Sequence, residues 1–135
     1  METLANLAVQ MWKNHTVKDL IKEFSQIMAK EGSRFFLKYE NDIPVGFAQC
    51  RLRYDYVEGA ETSPVGYLEG IFVAENFRKR GYAAEMLAEC EKWAGENGCH
   101  EFASDCELEN IDSFYFHKAV GFAEVNRIIC FAKKL

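Results

Sequence analysis

Residues 67–83, YLEGIFVAENFRKRGYA, decide the fold of this chain, because they join a buried-looking strand to a long amphipathic helix. The strand is predicted over Tyr67–Val73, and the helix runs from about Arg80 to Asn97. Backbone N–H groups at the start of a helix have no partner within it, and the helix dipole adds positive charge there. The loop Arg78–Ala83, spaced Arg-x-x-Gly-x-Ala, therefore predicts a phosphate site that is neither a dinucleotide fingerprint nor a P-loop.

The bulk properties predict one globular domain over residues 1–135. A formal net charge of −5 argues against nucleic acid and suits a cationic partner, although such a charge is also ordinary for solubility. Five scattered cysteines without a C-x-x-C pair suit reduced thiols in a cytoplasmic protein. The three histidines lack metal-ligand spacing, and no apolar run reaches membrane-spanning length. We therefore expect no metal, no membrane and no nucleic acid.

The remaining elements flank this central unit and give the order α-α-β-β-β-α-β-α-β. A glycine inside the strand at Gly70 predicts a bulge or a close backbone approach. The order predicts a mixed α/β (α+β) fold, with a mostly antiparallel twisted sheet, one parallel pair and flanking helices. The other predicted elements are helices over 2–12, from Thr16 and over 110–119, and strands over 34–39, 44–54, 100–105 and 126–133.

Several separate motifs resemble the GNAT superfamily of N-acetyltransferases across nearly the whole chain. The strand Leu68–Val73, the loop Arg78–Ala83, and Asn110 followed by Gly121-Phe122 match in the same order. Further segments resemble the aminoglycoside 6′-N-acetyltransferases, namely Arg53–Gly59, Ser63–Val65, Leu68–Ile71 and Ala103–Asp105. The resemblance implies a GNAT fold with a splayed parallel pair, acetyl transfer from acetyl-CoA to the 6′-amine of an aminoglycoside, antibiotic resistance and a homodimer.

Two positions depart from the family pattern. The family opens with a strand before the first helix, whereas this chain starts at that helix, so we expect the first family strand to be missing and a sheet edge to be exposed or covered by a partner. Many GNAT enzymes carry a tyrosine seven residues after the motif asparagine as general acid for the leaving thiolate. Here that position is His117, and Tyr115 is two residues out of register.

The resemblance assigns the cofactor mainly to backbone groups. It places the pantetheine arm of acetyl-CoA along Ile71, Phe72 and Val73, and it makes Asn110 a further contact, although helix capping explains that asparagine equally well. Small residues in the loop let phosphates approach the backbone. The residues assigned to the pyrophosphate are Arg78, Lys79, Arg80, Gly81, Tyr82 and Ala83.

Two carboxylates are the candidates for removing a proton from the amine. An acid within an apolar strand is costly unless it is paired or lines a cleft, which favours a site role for Glu69 over a structural salt bridge. Asp105 follows the neighbouring strand, where ligands of open sheets collect, although capping a turn is nearly as good a reading. Either acid is the base and the other an anchor. A backbone N–H near Ile71 or Phe72 is the oxyanion donor.

The remaining site residues rest on the subfamily match. His117 either relays a proton to the thiolate or is a half-buried helix histidine, and an unassisted thiolate is the third option. Trp12, His15, Tyr56 and Asn126 are carried over as acceptor contacts, with a core role as the alternative for Trp12. Other functions stay open: acetylation of a polyamine or protein amine, or acyl-CoA binding without catalysis.

Overall fold

The computed structural model describes residues 1–135 and contains four α-helices, four strands and one short 3-10 helix at Glu75–Phe77. The strands are built from sequence with period-2 or continuous apolar character, and the helices from sequence with apolar residues at helical spacing. The elements are α1 (Glu2–Met11), α2 (Val17–Met28), β1 (Ser33–Glu40), β2 (Ile43–Arg53), β3 (Val65–Val73), α3 (Tyr82–Glu96), β4 (Phe102–Ser104) and α4 (Ile111–Ala119). None of these helices is long and apolar enough to cross a membrane.

The sheet has the order β1-β2-β3-β4 and confirms the predicted mixed α/β fold. The first two pairs are antiparallel, and β3 and β4 are parallel, as the strand–helix–strand crossover through α3 requires. Asn41 and Asp42 connect β1 to β2 with positive φ angles of 49° and 66°. Such angles are typical of a type I′ hairpin turn.

Helices cover both faces of the sheet. Neighbouring residues of β2 show this directly, since Phe47 packs with Leu20 and Phe24 of the α1/α2 layer, while Ala48 packs with Met86 and Leu87 of α3. Side chains alternate between the two faces of a strand, so a strand that is apolar throughout serves both layers. The core therefore lies on both sides of β2 and β3, and the open end of β3 becomes the natural place for a site.

Local signals fix the ends of two helices. Thr16 accepts a hydrogen bond from the backbone N–H of Asp19, whose carboxylate accepts one from the backbone N–H of Thr16. This capping box starts α2 where the sequence predicts it. Asn110 accepts a hydrogen bond from the backbone N–H of Ser113 at 3.2 Å and caps α4. The capping alternative for Asn110 is therefore confirmed, and a cofactor contact would be a second role of the same side chain.

The final strand predicted over Asn126–Lys133 is wrong. Residues 122–135 form no helix or strand, and the large apolar side chains from Val125 onward are exposed. A strand exists only through hydrogen bonds to a neighbour, and this segment pairs with no strand of its own chain. The alternation of apolar residues thus identifies a segment that could pair as a strand, but it does not show whether a neighbouring strand is present. The exposed side chains are Val125, Ile128, Ile129, Phe131 and Leu135.

Candidate active site

A bulge in β3 places Glu69 at the centre of the site. Gln49 of β2 faces Gly70 and Cys50 faces Leu68, so Glu69 has no partner residue in β2. A Cβ atom at Gly70 would come within 2.8 Å of the Trp12 ring. The expected bulge and the expected close approach are therefore both present, and together they turn Glu69 out of the ladder beside Trp12.

The parallel strands β3 and β4 separate beyond the bulge. β4 pairs only with Gly66–Leu68, and its last paired residue is Ser104 opposite Leu68. β3 continues for five more residues to Val73, so the edge of Glu69–Val73 that faces away from β2 has no partner strand. Free backbone donors and acceptors along an open edge are suited to an extended ligand that adds like a strand. The pantetheine arm of acetyl-CoA is such a ligand.

The loop Arg78–Ala83 leads from this open edge into α3. Gly81 precedes the helix with φ 82°, and Lys79 has φ 64°. The Nε atom of Arg78 donates to the Val73 carbonyl at 2.8 Å, and Arg80 pairs with Glu40 at 2.5 Å. These contacts hold two of the three loop cations in place and leave Lys79 without an ion-pair partner. The N–H groups at the start of α3 remain free for an anion.

Glu40 stabilises the other side of this loop. Its carboxylate accepts a hydrogen bond from the hydroxyl of Tyr82 as well as one from Arg80. These two donors hold the pKa of Glu40 below its ordinary value, the Tyr82 hydroxyl having the larger effect. The start of α3 is therefore attached to the end of β1, and Tyr82 serves this attachment through its side chain.

Glu69 lies in an ion-pair network rather than alone. Its Oε1 atom is 3.1 Å from Nε of Arg51 and 3.0 Å from Nη2 of Arg53. The guanidinium of Arg53 lies 3.4 Å from the centre of the Tyr67 ring, and the Tyr67 hydroxyl donates to Asp105 at 2.5 Å. Burial and the Asp105 carboxylate raise the pKa of Tyr67, which keeps it protonated as a donor. The two candidate acids are thus connected through Arg53 and Tyr67. Glu69 does form salt bridges, which was the less favoured expectation, and its site role stays a prediction.

Three predicted acceptor residues line one cavity. Trp12, His15 and Glu69 surround a space of about 230 Å³ together with Leu20, Glu23 and Gln49. The Trp12 ring also packs against Phe24 and Phe47 with ring centres 6.2 and 5.8 Å away. Trp12 therefore belongs to the core with one part of its ring and to the cavity with another. His15 is exposed in the turn between α1 and α2.

Tyr56 and Asn126 form a separate cluster. The Tyr56 hydroxyl donates to Glu58 at 2.6 Å, and the side-chain amide of Asn126 donates to the other oxygen of Glu58 at 2.7 Å. These bonds lower the pKa of Glu58, the Tyr56 hydroxyl having the larger effect, and raise the pKa of Tyr56. The segment after α4 is thereby attached to the acidic loop between β2 and β3. Neither residue lines the cavity of Trp12 and His15.

His117 contacts the end of β4. Its Nδ1 atom lies 2.6 Å from the Ser113 carbonyl and therefore carries a proton, which it donates. Its Nε2 atom lies 2.7 Å from the hydroxyl of Ser104. Nε2 is free to accept from that hydroxyl or, when protonated, to donate to it. His117 is thus half-buried and fully hydrogen-bonded at the point where β3 and β4 separate.

The chain matches a known family along most of its length. The model of the acetyltransferase (GNAT) family matches residues 1–122. The chain belongs to the GNAT acetyltransferase family. It is an N-acetyltransferase of the class that takes its acetyl group from acetyl-CoA, which confirms the donor expected from the sequence.

Similar sequences show which group of GNAT enzymes this chain resembles most. The chain is 41% identical over 130 residues to the aminoglycoside N(6′)-acetyltransferase type 1 of Serratia marcescens, covering 96% of this chain and 89% of that one. It is 36% identical to the same type of enzyme from Salmonella enteritidis, covering 99% and 92%. These matches confirm the resemblance to aminoglycoside 6′-N-acetyltransferases.

Solved structures agree with the sequence matches. The structure of AAC(6′)-Iy in complex with the bisubstrate analogue CoA-S-monomethyl-acetylneamine is 36% identical, with a TM-score of 0.94 over 99% of this chain and 91% of that one. A complex of the same enzyme with CoA gives a TM-score of 0.95 over 99% and 88%. The GNAT fold predicted from the motif order is therefore confirmed.

Several contacts of this GNAT site were not predicted from the sequence. Arg51 and Arg53 pair with Glu69 across β2 and β3, and Tyr67 connects Arg53 to Asp105. The alternation Arg51-Leu52-Arg53 at the end of a strand was the available signal, because both cations point to one face. No sequence signal identified Ser104 or Gln49, since their importance depends on which strands become neighbours.

Proposed function

We propose that this chain is a 6′-N-acetyltransferase of aminoglycosides that uses acetyl-CoA and confers resistance to these antibiotics. One observation carries the proposal. The acidic bulge residue Glu69 begins the open edge of β3 and also lines the cavity that contains Trp12 and His15. A donor along that edge and a cationic acceptor in that cavity would therefore meet at Glu69.

The donor half relies on the backbone. The free edge at Ile71–Val73 would hold the pantetheine arm, and the N–H groups of Arg78–Ala83 would hold the pyrophosphate, with Lys79 adding charge. Bound acetyl-CoA supplies the activated acetyl group. A backbone N–H of Ile71 or Phe72 would stabilise negative charge on the acetyl oxygen, because the bulge at Glu69 and the absent neighbour strand leave this edge with unused donors.

The acceptor half relies on acidic side chains. An aminoglycoside amine is protonated at neutral pH, so Glu69 or Asp105 would attract it and accept its proton directly or through water. Arg53 and Tyr67 connect Glu69 to Asp105 and fix the positions of the two carboxylates relative to each other. This arrangement suits one acid acting as the base while the other binds an ammonium group. Tyr56 and Asn126, which both contact Glu58, would bind the rest of the polycation at the loop between β2 and β3.

The pair His117 and Ser104 would supply the proton for the leaving sulfur. When Nε2 of His117 is protonated it donates to the Ser104 hydroxyl, and that hydroxyl, which otherwise donates to the Asp105 carbonyl, would pass its own proton to the sulfur. Nδ1 stays bound to the Ser113 carbonyl in both states. Proton transfer through this pair needs no movement of the ring.

A matched pair of acceptors tests the proposal. Neomycin carries an amine at the 6′ position, and paromomycin has a hydroxyl there and is otherwise the same. We expect thiol release from acetyl-CoA with neomycin and at least a 100-fold lower kcat/KM with paromomycin. Equal rates with both would contradict 6′ specificity, and no release with any 6′-amino aminoglycoside would contradict the function itself.

We also propose that the chain works in the cytoplasm as a homodimer. The segment 125–131 pairs with no strand and carries exposed apolar side chains, with Ile128 and Phe131 at 73% and 90% exposure, which suits burial against a second copy. All five cysteines are free, as expected in a reducing compartment. Light scattering should give twice the chain mass, and F131D together with I128D should give the monomer. A wild-type monomer would overturn the dimer.

A further inference from the structure

Gln49 is the one polar residue among the buried side chains of the protein. Only 8% of its surface is exposed, and none of the side-chain hydrogen bonds in the structure involves its carboxamide. Polar groups at such depth are nearly always hydrogen-bonded, and this carboxamide, which has no partner within the chain, can take one only from solvent or from a ligand. Its atoms are not sealed off, because the only fully enclosed side-chain polar atom without a partner is Nε of Arg53.

The surroundings of Gln49 direct it to a ligand space. It lines the 230 Å³ cavity of Trp12 and a second, larger cavity of about 480 Å³ that runs along the end of α2. Its partner across the sheet is Gly70, which has no side chain to cover it. The Trp12 ring instead occupies the space above Gly70. Gln49 therefore sits beneath the point where the two cavities meet.

The charges around Gln49 indicate what would bind there. Glu23 and Glu69 also line both cavities, and Glu23 forms no ion pair. Glu31 lines the larger cavity, opposed by Lys30 and by Arg51, which is paired with Glu69. The space is thus polar and slightly acidic. Such a space suits a ligand with both hydroxyl groups and positive charge.

We propose that Gln49 binds the acceptor and determines its specificity, by contacting a hydroxyl or ammonium group of a sugar ring that extends from the Trp12 cavity along α2. A carboxamide both donates and accepts, so it can bind either group of an amino sugar. Glu23 attracts the cation from the rim, and Trp12 supplies an apolar wall for the sugar ring. This proposal rests on the proposed function, because it names the polar contact of that acceptor.

The test replaces the carboxamide without changing the size of the side chain much. We expect Gln49→Leu to raise KM for neomycin about 10-fold, the loss of one hydrogen bond to a charged group. KM for acetyl-CoA should change by less than about 2-fold, since the donor is proposed to lie along Ile71–Val73 of β3, whereas Gln49 lies in β2. Gln10→Leu is the matched control, because Gln10 is exposed on α1 and lines neither cavity. It should leave all constants unchanged.

Two outcomes would overturn the proposal. One is an unchanged KM for neomycin in Gln49→Leu, and the other is an equal rise in KM for acetyl-CoA, which would indicate a structural role. If the variant does not fold, NMR of the wild-type protein with CoA replaces it. The side-chain amide signals of Gln49, and not those of Gln10, should shift on adding neomycin, and unshifted signals would overturn the contact.

Binding measurements separate this proposal from the function on which it rests. Calorimetry gives the affinity of neomycin for the wild-type protein and for Gln49→Leu, with CoA present and without turnover. A wild-type protein that binds neomycin but never acetylates it contradicts the proposed function alone. Equal affinities of the two proteins contradict only the role of Gln49.

Discussion

The donor half and the acceptor half of the site are built by different means. The proposed donor half consists of the open edge Glu69–Val73 and the loop Arg78–Ala83, which are close together in sequence and offer mostly backbone groups. The proposed acceptor half collects side chains from the turn between α1 and α2, from α2, and from β2 and β3. A backbone site tolerates most substitutions and depends on geometry, whereas a side-chain site depends on each residue and its partners. Donor use should therefore be robust, and acceptor choice should be easy to change.

The largest expected effect comes from removing the acid shared by both halves. Glu69→Gln abolishes the candidate base and also leaves Arg51 and Arg53 as uncompensated cations beside the acceptor cavity. We expect kcat/KM for neomycin to fall at least about 100-fold, the range of general-base catalysis. Steady-state kinetics should show KM for acetyl-CoA nearly unchanged. Glu91→Gln, on the exposed face of α3, is the control.

A reduced affinity for acetyl-CoA in Glu69→Gln would contradict the division into a donor half and an acceptor half, because it would show that donor binding also depends on the Glu69 side chain. A normal turnover rate would remove Glu69 from the mechanism and leave Asp105 as the base.

A glycine substitution tests the donor half by geometry alone. Gly81→Ala adds one methyl group where nothing lies within 4 Å, but the φ of 82° disfavours any L-residue. The cost of this conformation, about 1–2 kcal/mol, should shift the loop and weaken CoA binding about 10-fold. Calorimetry measures the affinity of the variant for CoA. Neomycin binding should stay the same.

Gly95→Ala is the matched control for this change. Gly95 lies inside α3, also with nothing within 4 Å, and has no positive φ. Alanine there should raise the melting temperature and leave CoA affinity unchanged. Equal CoA affinities of Gly81→Ala and Gly95→Ala would contradict a phosphate site at the loop.

The link between the two acids should have a smaller effect. Tyr67→Phe removes the hydroxyl that donates to Asp105 and keeps the buried ring beneath Arg53. We expect KM for neomycin to rise about 3- to 5-fold, within the range of one lost hydrogen bond, with CoA affinity unchanged. Tyr54→Phe, at an exposed position, should do nothing. Identical kinetics of the two variants would mean that Tyr67 does not orient Asp105.

The smallest expected effect is a change in the pH dependence of stability, and it comes from the contact of Glu101 with the loop between β2 and β3 that carries Tyr56. Glu101 accepts hydrogen bonds from the Thr62 hydroxyl and from the backbone N–H groups of Glu61 and Thr62, and these lower its pKa, the Thr62 hydroxyl most. The resulting stability is present above the ordinary pKa and is lost as pH falls through the lowered one. The melting temperature of the wild type should therefore drop more than that of Glu101→Gln between about pH 5 and 3. If the melting temperatures of the two proteins fell equally with pH, the hydrogen bonds between Glu101 and the loop would not contribute to stability.

The sequence predicted most where its signals are local. The helix starts at Thr16 and Asn110 each depend on residues within a few positions, and both formed where expected. The bulge near Gly70 and the parallel pair followed from one glycine and one crossover. The positions of the helices and strands around the site were therefore predictable.

The contacts between distant residues could not be predicted. Arg53 meets Glu69, and Tyr67 meets Asp105, only because of the register between β2, β3 and β4. The strand predicted over Asn126–Lys133 failed for the same reason, since its alternation says nothing about a partner. The roles of the individual site residues stay predictions, to be tested by the variants above.

A crystal structure of the protein with CoA and neomycin tests the central claim most directly. We expect the pantetheine arm along Ile71–Val73, the pyrophosphate at the N–H groups of Arg78–Ala83, and the 6′-amine near Glu69. A further ring should lie beside Trp12 and over Gln49. Neomycin bound away from Glu69 and Asp105, or CoA bound outside the opening between β3 and β4, would contradict it.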